Sequence, residues 1–454
     1  MDNLLYKPQK AHDIFTEEQH KAATHYAARY AAFINKAKTE RRAVNESIKR
    51  ANAAGFAPYK FGDKLQIGGK YYYNNRGKAL YLFTVGTENP ENGARITAAH
   101  NDVPRIDLKP RPLYEEDGIG YFKTQYYGGI KKYQWMALPL ALHGVIVKAN
   151  GESVDVCIGE DESDPVFYMT DLLPHLGANQ SQKTLGSAFP AESLNVIVGT
   201  LPDADAGEDK VKTAIMKLLN EKYGIIEADF ISAELSLVPA QKARDIGLDR
   251  SLLGGYGHDD LVCTYPILTA LLDCQDNIKT KIAVLSDKEE TGSNGNTGMQ
   301  CSALLDIMAE IAAVHGANLS AMKAASKALS ADVNAAYDPV YADVYDKRNS
   351  CFLHGGVVLT KYTGSGGKGG TSDASAEFMG YVRNLFDKAG ILWQTGTLGK
   401  VDQGGGGTVA KFIAELNIDT VDIGVPVLSM HAPFECIAKT DLYMTYLALS
   451  AFMV

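Results

Sequence analysis

Five places in the chain put a histidine or a carboxylate directly after an apolar, β-type run or at the start of a helical one. ARITAA runs into His100-Asn101-Asp102, KIAVLS into Asp287-Lys288-Glu289-Glu290, and VDIGVPVLS into Met430-His431. Asp259-Asp260 opens a helical stretch, and Asp332 follows KALSA. Taken singly, such residues have ordinary readings: a hydrogen-bonded structural histidine, a solvated acidic loop, an Asp capping a helix N-terminus. Their convergence is what points to chemistry. In an open α/β sheet, ligands bind beyond the carboxyl ends of the strands. Two neutral imidazoles and three carboxylates from these places bring a charge of −3 against the +4 of two divalent cations. Mixed nitrogen and oxygen donors suit zinc, with cobalt or manganese as substitutes. Two such ions roughly 3.5–4 Å apart are a known hydrolytic arrangement. Asp102, two residues from His100, would accept the imidazole's other N–H and orient the ring. Of the adjacent Glu289 and Glu290, one carboxylate would bind metal while its neighbour, pointing differently, would take a proton from water and pass it to a leaving amine.

The elements that must position these groups alternate. LSLVPA, KIAVLS, GVVLTKY and VDIGVPVL read as buried strands. LVCTYPILTALLDC, SALLDIMAEIAAV and SAEFMGYVRNLFDKAG read as helices, the second with Leu304, Ile307, Met308 and Ile311 at helical spacing. This alternation predicts a largely parallel α/β sheet. Thr16 caps a predicted surface helix over 16–39. From about 56 to 150 the texture is aromatic, glycine-rich and β-like; residues 151–240 mix polar loops, a strand in LNVIVGTL and a helix near 208–222. At 454 residues the length fits two or three domains. The net charge of −9 comes without a basic stripe and excludes a typical nucleic-acid binder. The six cysteines form no CxxC pair, the opening MDNLLYKPQKAHDIF is charged where a signal peptide needs an apolar core, and the Trp135–Leu142 run is too short to span a bilayer. The expectation is a soluble cytoplasmic protein with reduced thiols.

The motifs H-N-D, H-D-D-L, D-K-E-E-T-G-S, S-A-D-V-N-A-A-Y-D-P-V-Y and M-H-A-P-F-E-C stand in the order of the M18 metalloaminopeptidases, and the sequence resembles that family over essentially its whole length, Y-G-G-I-K-K-Y-Q-W included. The resemblance implies a zinc-peptidase (phosphorylase/hydrolase-like) three-layer catalytic domain over 1–104 and 246–454, interrupted at 105–245 by a β-rich dimerisation domain. It also implies dimers assembling into tetrahedral dodecamers that act on peptides with a free N-terminus. By the same resemblance His100 and Asp332 hold one metal, Glu290 and His431 the other, Asp259 bridges them, and Glu289 is the catalytic base. Asp260 stands where the family usually has Asn. His175, in D-L-L-P-H-L, resembles a histidine that reaches a neighbouring subunit's site. Val103, Phe434 and the run Asp402–Thr408 depart from the family pattern, away from the ligands but near its substrate pocket, so a preference for acidic N-terminal residues is left open. Lys368 lies near the family's acid-recognising region and would pair with a substrate carboxylate; a surface lysine on a glycine-rich loop is the alternative.

Other readings compete. Gly364-Ser365-Gly366-Gly367-Lys368-Gly369 matches G-x-G-x-x-G between a strand and a helix, as a dinucleotide site would. No acidic residue closes a following strand, and Gly369 after Lys368 fails the P-loop pattern. No G-x-S-x-G is present to support a serine hydrolase, and a glycosidase would leave His100 and His431 idle. An M42-type aminopeptidase, a carboxypeptidase and a deacylase would share the metal site. A non-catalytic binding protein would be expected to lose a ligand or the base, and none is lost.

Overall fold

The computed structural model describes residues 4–454, which divide into two compact units. The first comprises the chain up to Val103, Ala243–Met430 and Phe434–Val454; the second comprises Pro104–Lys242 with His431–Pro433.

A nine-stranded sheet organises the first unit, in the order Ala57–Pro58, Lys70–Asn75, Ala79–Thr84, Lys281–Ser286, Arg95–His100, Lys327–Ala331, Asp419–Gly424, Val357–Thr360, Trp393–Thr395. Its centre is parallel: Lys281–Ser286, Arg95–His100, Lys327–Ala331 and Asp419–Gly424 run the same way. Antiparallel pairings flank that core and parallel ones return at both edges, so five of the eight neighbouring pairs are parallel and three antiparallel. Strands such as Ala79–Thr84 and Lys281–Ser286 are buried at every residue, because helices cover both faces. On one face Ile96, Ala98, Ile282 and Val284 pack with Leu304, Ile307, Met308 and Ile311 of the Ala303–His315 helix. Truncating one of these fully buried residues, such as Ile307, to Ala should cost about 2–5 kcal/mol. Against the sheet lies also the almost wholly buried helix His258–Asp273, with helices Glu17–Ile34 and Lys439–Phe452 packed on it. Thr16 caps the Glu17–Ile34 helix in a reciprocal capping box with Gln19. That helix ends at Ile34, and a further helix, Glu40–Ala53, follows it.

The stretch VDIGVPVLS departs from its reading as one strand. Asp419–Gly424 belongs to the large sheet, whereas Pro426–Leu428 joins a five-stranded sheet with Glu435–Ala438 and Leu252–Gly255. LSLVPA lies in the second unit, its Leu235 to Pro239 within the strand Ala233–Pro239. That strand pairs with both Arg105–Glu116 and Pro139–Val147, closing six antiparallel strands into a ring with Ser153–Ile158 as an outer strand on Pro139–Val147. No helix among the described residues is long and apolar enough to cross a membrane.

Candidate metal centre

The four central parallel strands end level with one another. Ser286 pairs with His100 and Ser330 with Ala98, so His100, Asp287 and Asp332 leave the sheet at one edge. Each is buried or nearly so, which removes the solvated-loop reading for this edge. Asp332 is held by its backbone: its N–H donates to Ile423 O, and the neighbouring strand approaches so closely that a Cβ at Gly424 would lie 1.7 Å from Asp332 O. Only glycine fits there.

The His258–Asp273 helix closes the site from its own first turn. Asp259 and Asp260 have non-helical backbone angles, which turn both carboxylates out of the helix. Asp260 Oδ2 accepts from His100 N at 3.2 Å, and Thr264 Oγ1 donates to His100 O at 2.9 Å. The strand end is thereby fastened to the helix start. Asp259 N donates to Glu435 Oε2 at 3.1 Å. Glu435 is itself buried and opens the strand Glu435–Ala438, so this bond ties that strand to Asp259's backbone.

Around His100 the side chains converge. Nε2 lies 3.2 Å from Asp259 Oδ1, 3.9 Å from Asp332 Oδ1 and 4.0 Å from Glu289 Oε2. His100, Asp260 and Asp332, and separately His100, Glu289 and Glu290, each bring one donor atom within 4.8 Å of one another. His100 Nδ1 meets Asp102 chiefly through the backbone carbonyl, at 2.9 Å, with carboxylate Oδ1 at 3.3 Å. The Asp102 carboxylate has a second task. Its two oxygens accept from the backbone N–H groups of Glu289 and Glu290, both at 3.1 Å. One residue, through its carbonyl and its carboxylate, therefore fixes a histidine and the turn carrying both glutamates.

The electrostatics fit a cation. Burial, reinforced by Asp260, Asp259 and Glu289, holds Asp332 well above the usual carboxylate range. Burial does the same to Asp260, with Asp259 adding to it. Burial alone would depress the His100 imidazole, but its bonds to Asp102 and Asp259 outweigh it and hold the ring well above its ordinary value. Asp287 is pushed up to about 6 by burial and by Glu40 and Asp102. Without a cation these acids repel one another in a desolvated edge; divalent ions would turn the same oxygens and imidazoles into ligands. The donor set, carboxylate oxygens with imidazole nitrogen and no thiolate, suits zinc, cobalt or manganese.

Each of the other candidates has its own local setting. His431 sits in the Leu428–Glu435 hairpin turn with a left-handed backbone, and its Nδ1 is 2.7 Å from Gly129 O. His175 is exposed in the short turn Pro174–Leu176, among the exposed Leu172, Leu173 and Leu176. Lys368 is exposed; its Nζ bonds Asp373 Oδ2 at 2.8 Å and lies over the Tyr362 ring. The glycine-rich loop does not form a phosphate cradle. Ser365 and Gly369 bond each other's backbone in both directions, and Gly364–Ser365 pairs with Gly405–Gly406. The Ser365 and Gly369 amides are thus spent on a hairpin, which counts against the dinucleotide reading. Asp260 and Glu435 are the structural surprises. An acid buried after a turn, as in F-E-C, was the available signal for Glu435.

Residues 33–453 match the family model described as aminopeptidase I zinc metalloprotease (M18). A probable M18 family aminopeptidase 1 from Clostridium acetobutylicum is 47% identical over 461 residues, covering 100% of this chain and 99% of that protein. A solved M18 aminopeptidase from Thermotoga maritima superposes with a TM-score of 0.95 at 42% identity, covering 99% of both chains. Aminopeptidase I from C. acetobutylicum gives 0.93 at 44%, covering 99% of this chain and 100% of that one. The more distant mApe1 of S. cerevisiae, solved as a dodecamer, shares the fold at 21% identity with a TM-score of 0.78, covering 96% and 97%.

Proposed function

The chain belongs to the M18 family of zinc metallo-aminopeptidases, and from that premise we propose that it removes N-terminal residues from peptides with two divalent ions, zinc by preference, at the sheet edge around His100. The observation that carries this reading is the convergence of Asp259, Asp332 and Glu289 on one imidazole nitrogen. His100 and Asp332 would hold one ion and Glu290 and His431 the other, with Asp259 as a ligand shared by both. When bound, the ions supply Lewis-acid polarisation of the scissile carbonyl and acidify water. Glu289 takes the proton from the attacking water and returns it to the departing amine. Asp102 keeps the Glu289–Glu290 turn and the His100 ring in register for that transfer.

In this reading residues 1–104 and 246–454 are the catalytic domain and 105–245 the dimerisation domain, with dimers building a tetrahedral dodecamer; the dodecameric S. cerevisiae relative supports it by analogy. His175 reaches a neighbouring subunit's site. The six cysteines, all free of disulfides, suit a cytoplasmic enzyme. Lys368 is the candidate for an acidic substrate side chain, but Asp373 already engages it together with Lys361, which argues against strong acidic selectivity.

The test is Glu289→Gln. It should retain its metal by elemental analysis and lose at least about a hundredfold in kcat on an aminoacyl substrate. Turnover within a few-fold of the unsubstituted enzyme would remove Glu289 from the mechanism.

A further inference from the structure

A second cluster of reactive side chains stands in the second unit. The antiparallel register of Pro139–Val147 and Ser153–Ile158 sets His143 opposite Cys157. Cross-strand partners of this kind share a face, with Cβ atoms about 5 Å apart. Cys157 Sγ lies 3.9 Å from His143 Nδ1, and His143 Nε2 lies 2.8 Å from Glu160 Oε1. A carboxylate only accepts, so Nε2 carries hydrogen and donates it to Glu160. The neutral ring then keeps its lone pair on Nδ1, the nitrogen that faces the thiol. His143 is 3% exposed, so its ring is fixed, while Cys157 is partly exposed on the outer strand.

We propose that Cys157 is an activated thiol that is modified by low-molecular-weight disulfides. A nucleophile within reach of a base that is oriented by a third group is the arrangement that raises thiolate character. His143 Nδ1 takes the proton from the Cys157 thiol. The thiolate attacks one sulfur of R–S–S–R; that S–S bond breaks, a Cys157–S–S–R bond forms, and R–S⁻ departs with the electron pair. The Cys157 sulfur is oxidised and the departing sulfur reduced, so no further oxidant is required.

The other five thiols lack this setting. Cys263 and Cys351 are buried. Cys436 is pushed up to about 11 by burial. Cys274 faces the carbonyls of Asp276 and Met453, and Cys301 meets the Tyr81 hydroxyl and the Asn75 amide. Neither carbonyl, hydroxyl nor amide is a base for a thiol near neutrality.

The experiment treats the folded full-length protein with oxidised glutathione at neutral pH and follows each cysteine by peptide mass spectrometry. Cys157 should react about fivefold or more faster than Cys274, Cys301 and Cys436, the gain in thiolate fraction being partly offset by lower intrinsic nucleophilicity. His143→Gln should bring it down to their range, and Glu160→Gln to an intermediate rate. A Cys157 rate in the unsubstituted protein no higher than those of Cys274 and Cys301 overturns the proposal, as does an unchanged rate in both variants. Faster reaction at Cys274 and Cys301 in His143→Gln would report a disturbed fold in that variant; the decision then falls to Glu160→Gln and the unsubstituted protein.

Discussion

The sheet edge around His100 and the glycine-rich hairpin around Lys368 both hold charged groups named for function, and they hold them differently. At the edge, Asp102, Asp259, Asp260 and Asp332 are buried or nearly so, and bonds to strand ends, a helix start and one another fix them. Around Lys368 a short ladder of glycine backbone carries an exposed lysine paired to a partly exposed aspartate. Burial makes like charges costly and therefore demands a cation; exposure makes an ion pair cheap to form and cheap to exchange. The proposed chemistry draws on the first region, and the second is a candidate for selectivity alone.

That contrast breaks most sharply at Asp259. Asp259→Ala should lose both ions together, with peptide hydrolysis falling to background; loss of one ion only, seen by elemental analysis, would show that Asp259 does not bridge. Asp102→Asn should be next in size. The amide cannot accept from both the Glu289 and Glu290 N–H groups, and metal affinity or kcat should fall by about 10–100-fold. Equal kcat and metal affinity in that variant would mean the glutamate turn stands without it.

Asp441 shows what burial does without acidic neighbours. It accepts from His354 N at 2.7 Å and Gly356 N at 2.8 Å, and burial pushes it up to about 7 despite those bonds. Its folded value exceeds the unfolded one, so between pH about 4 and 7 the folded chain binds a proton that the unfolded chain lacks. Its contribution to stability is therefore fully present at low pH and is lost as pH rises through 7. Thermal unfolding followed from pH 4 to 8 should show this slope reduced in Asp441→Asn; an identical slope in both proteins would assign it to other groups. The smallest effect should be at Lys368. Lys368→Ala should change the ratio of kcat/KM for acidic over neutral N-terminal residues by less than about threefold, because the pair it breaks is largely solvated. A drop of a hundredfold in that ratio would move Lys368 into the substrate pocket.

Much of the edge was legible because burial and strand ends leave local traces. The apolar runs ahead of His100, Asp287 and Asp332 mark where strands stop, and Leu304, Ile307, Met308 and Ile311 mark a helix face. What was not legible depends on chain distance or on weak apolar signal. The Glu40–Ala53 helix buries Ala43, Ser47 and Ala51, residues too small to give a clear hydrophobic period. VDIGVPVLS reads as one strand, yet the chain changes sheets at Val425, between Gly424 and Pro426. The grip of Asp102 on two amides 187 and 188 residues away, and of Glu435 on Asp259 176 residues away, has no local signature at all.

The most direct test of the two-ion edge is a count. Gently purified protein would be analysed for bound metal, and peptide hydrolysis measured before chelation, after it, and after zinc, cobalt or manganese is returned. The expected result is about two ions per chain, with activity lost on chelation and restored by the metal. One ion per chain in the fully active enzyme, or hydrolysis that survives complete removal of metal, would contradict it.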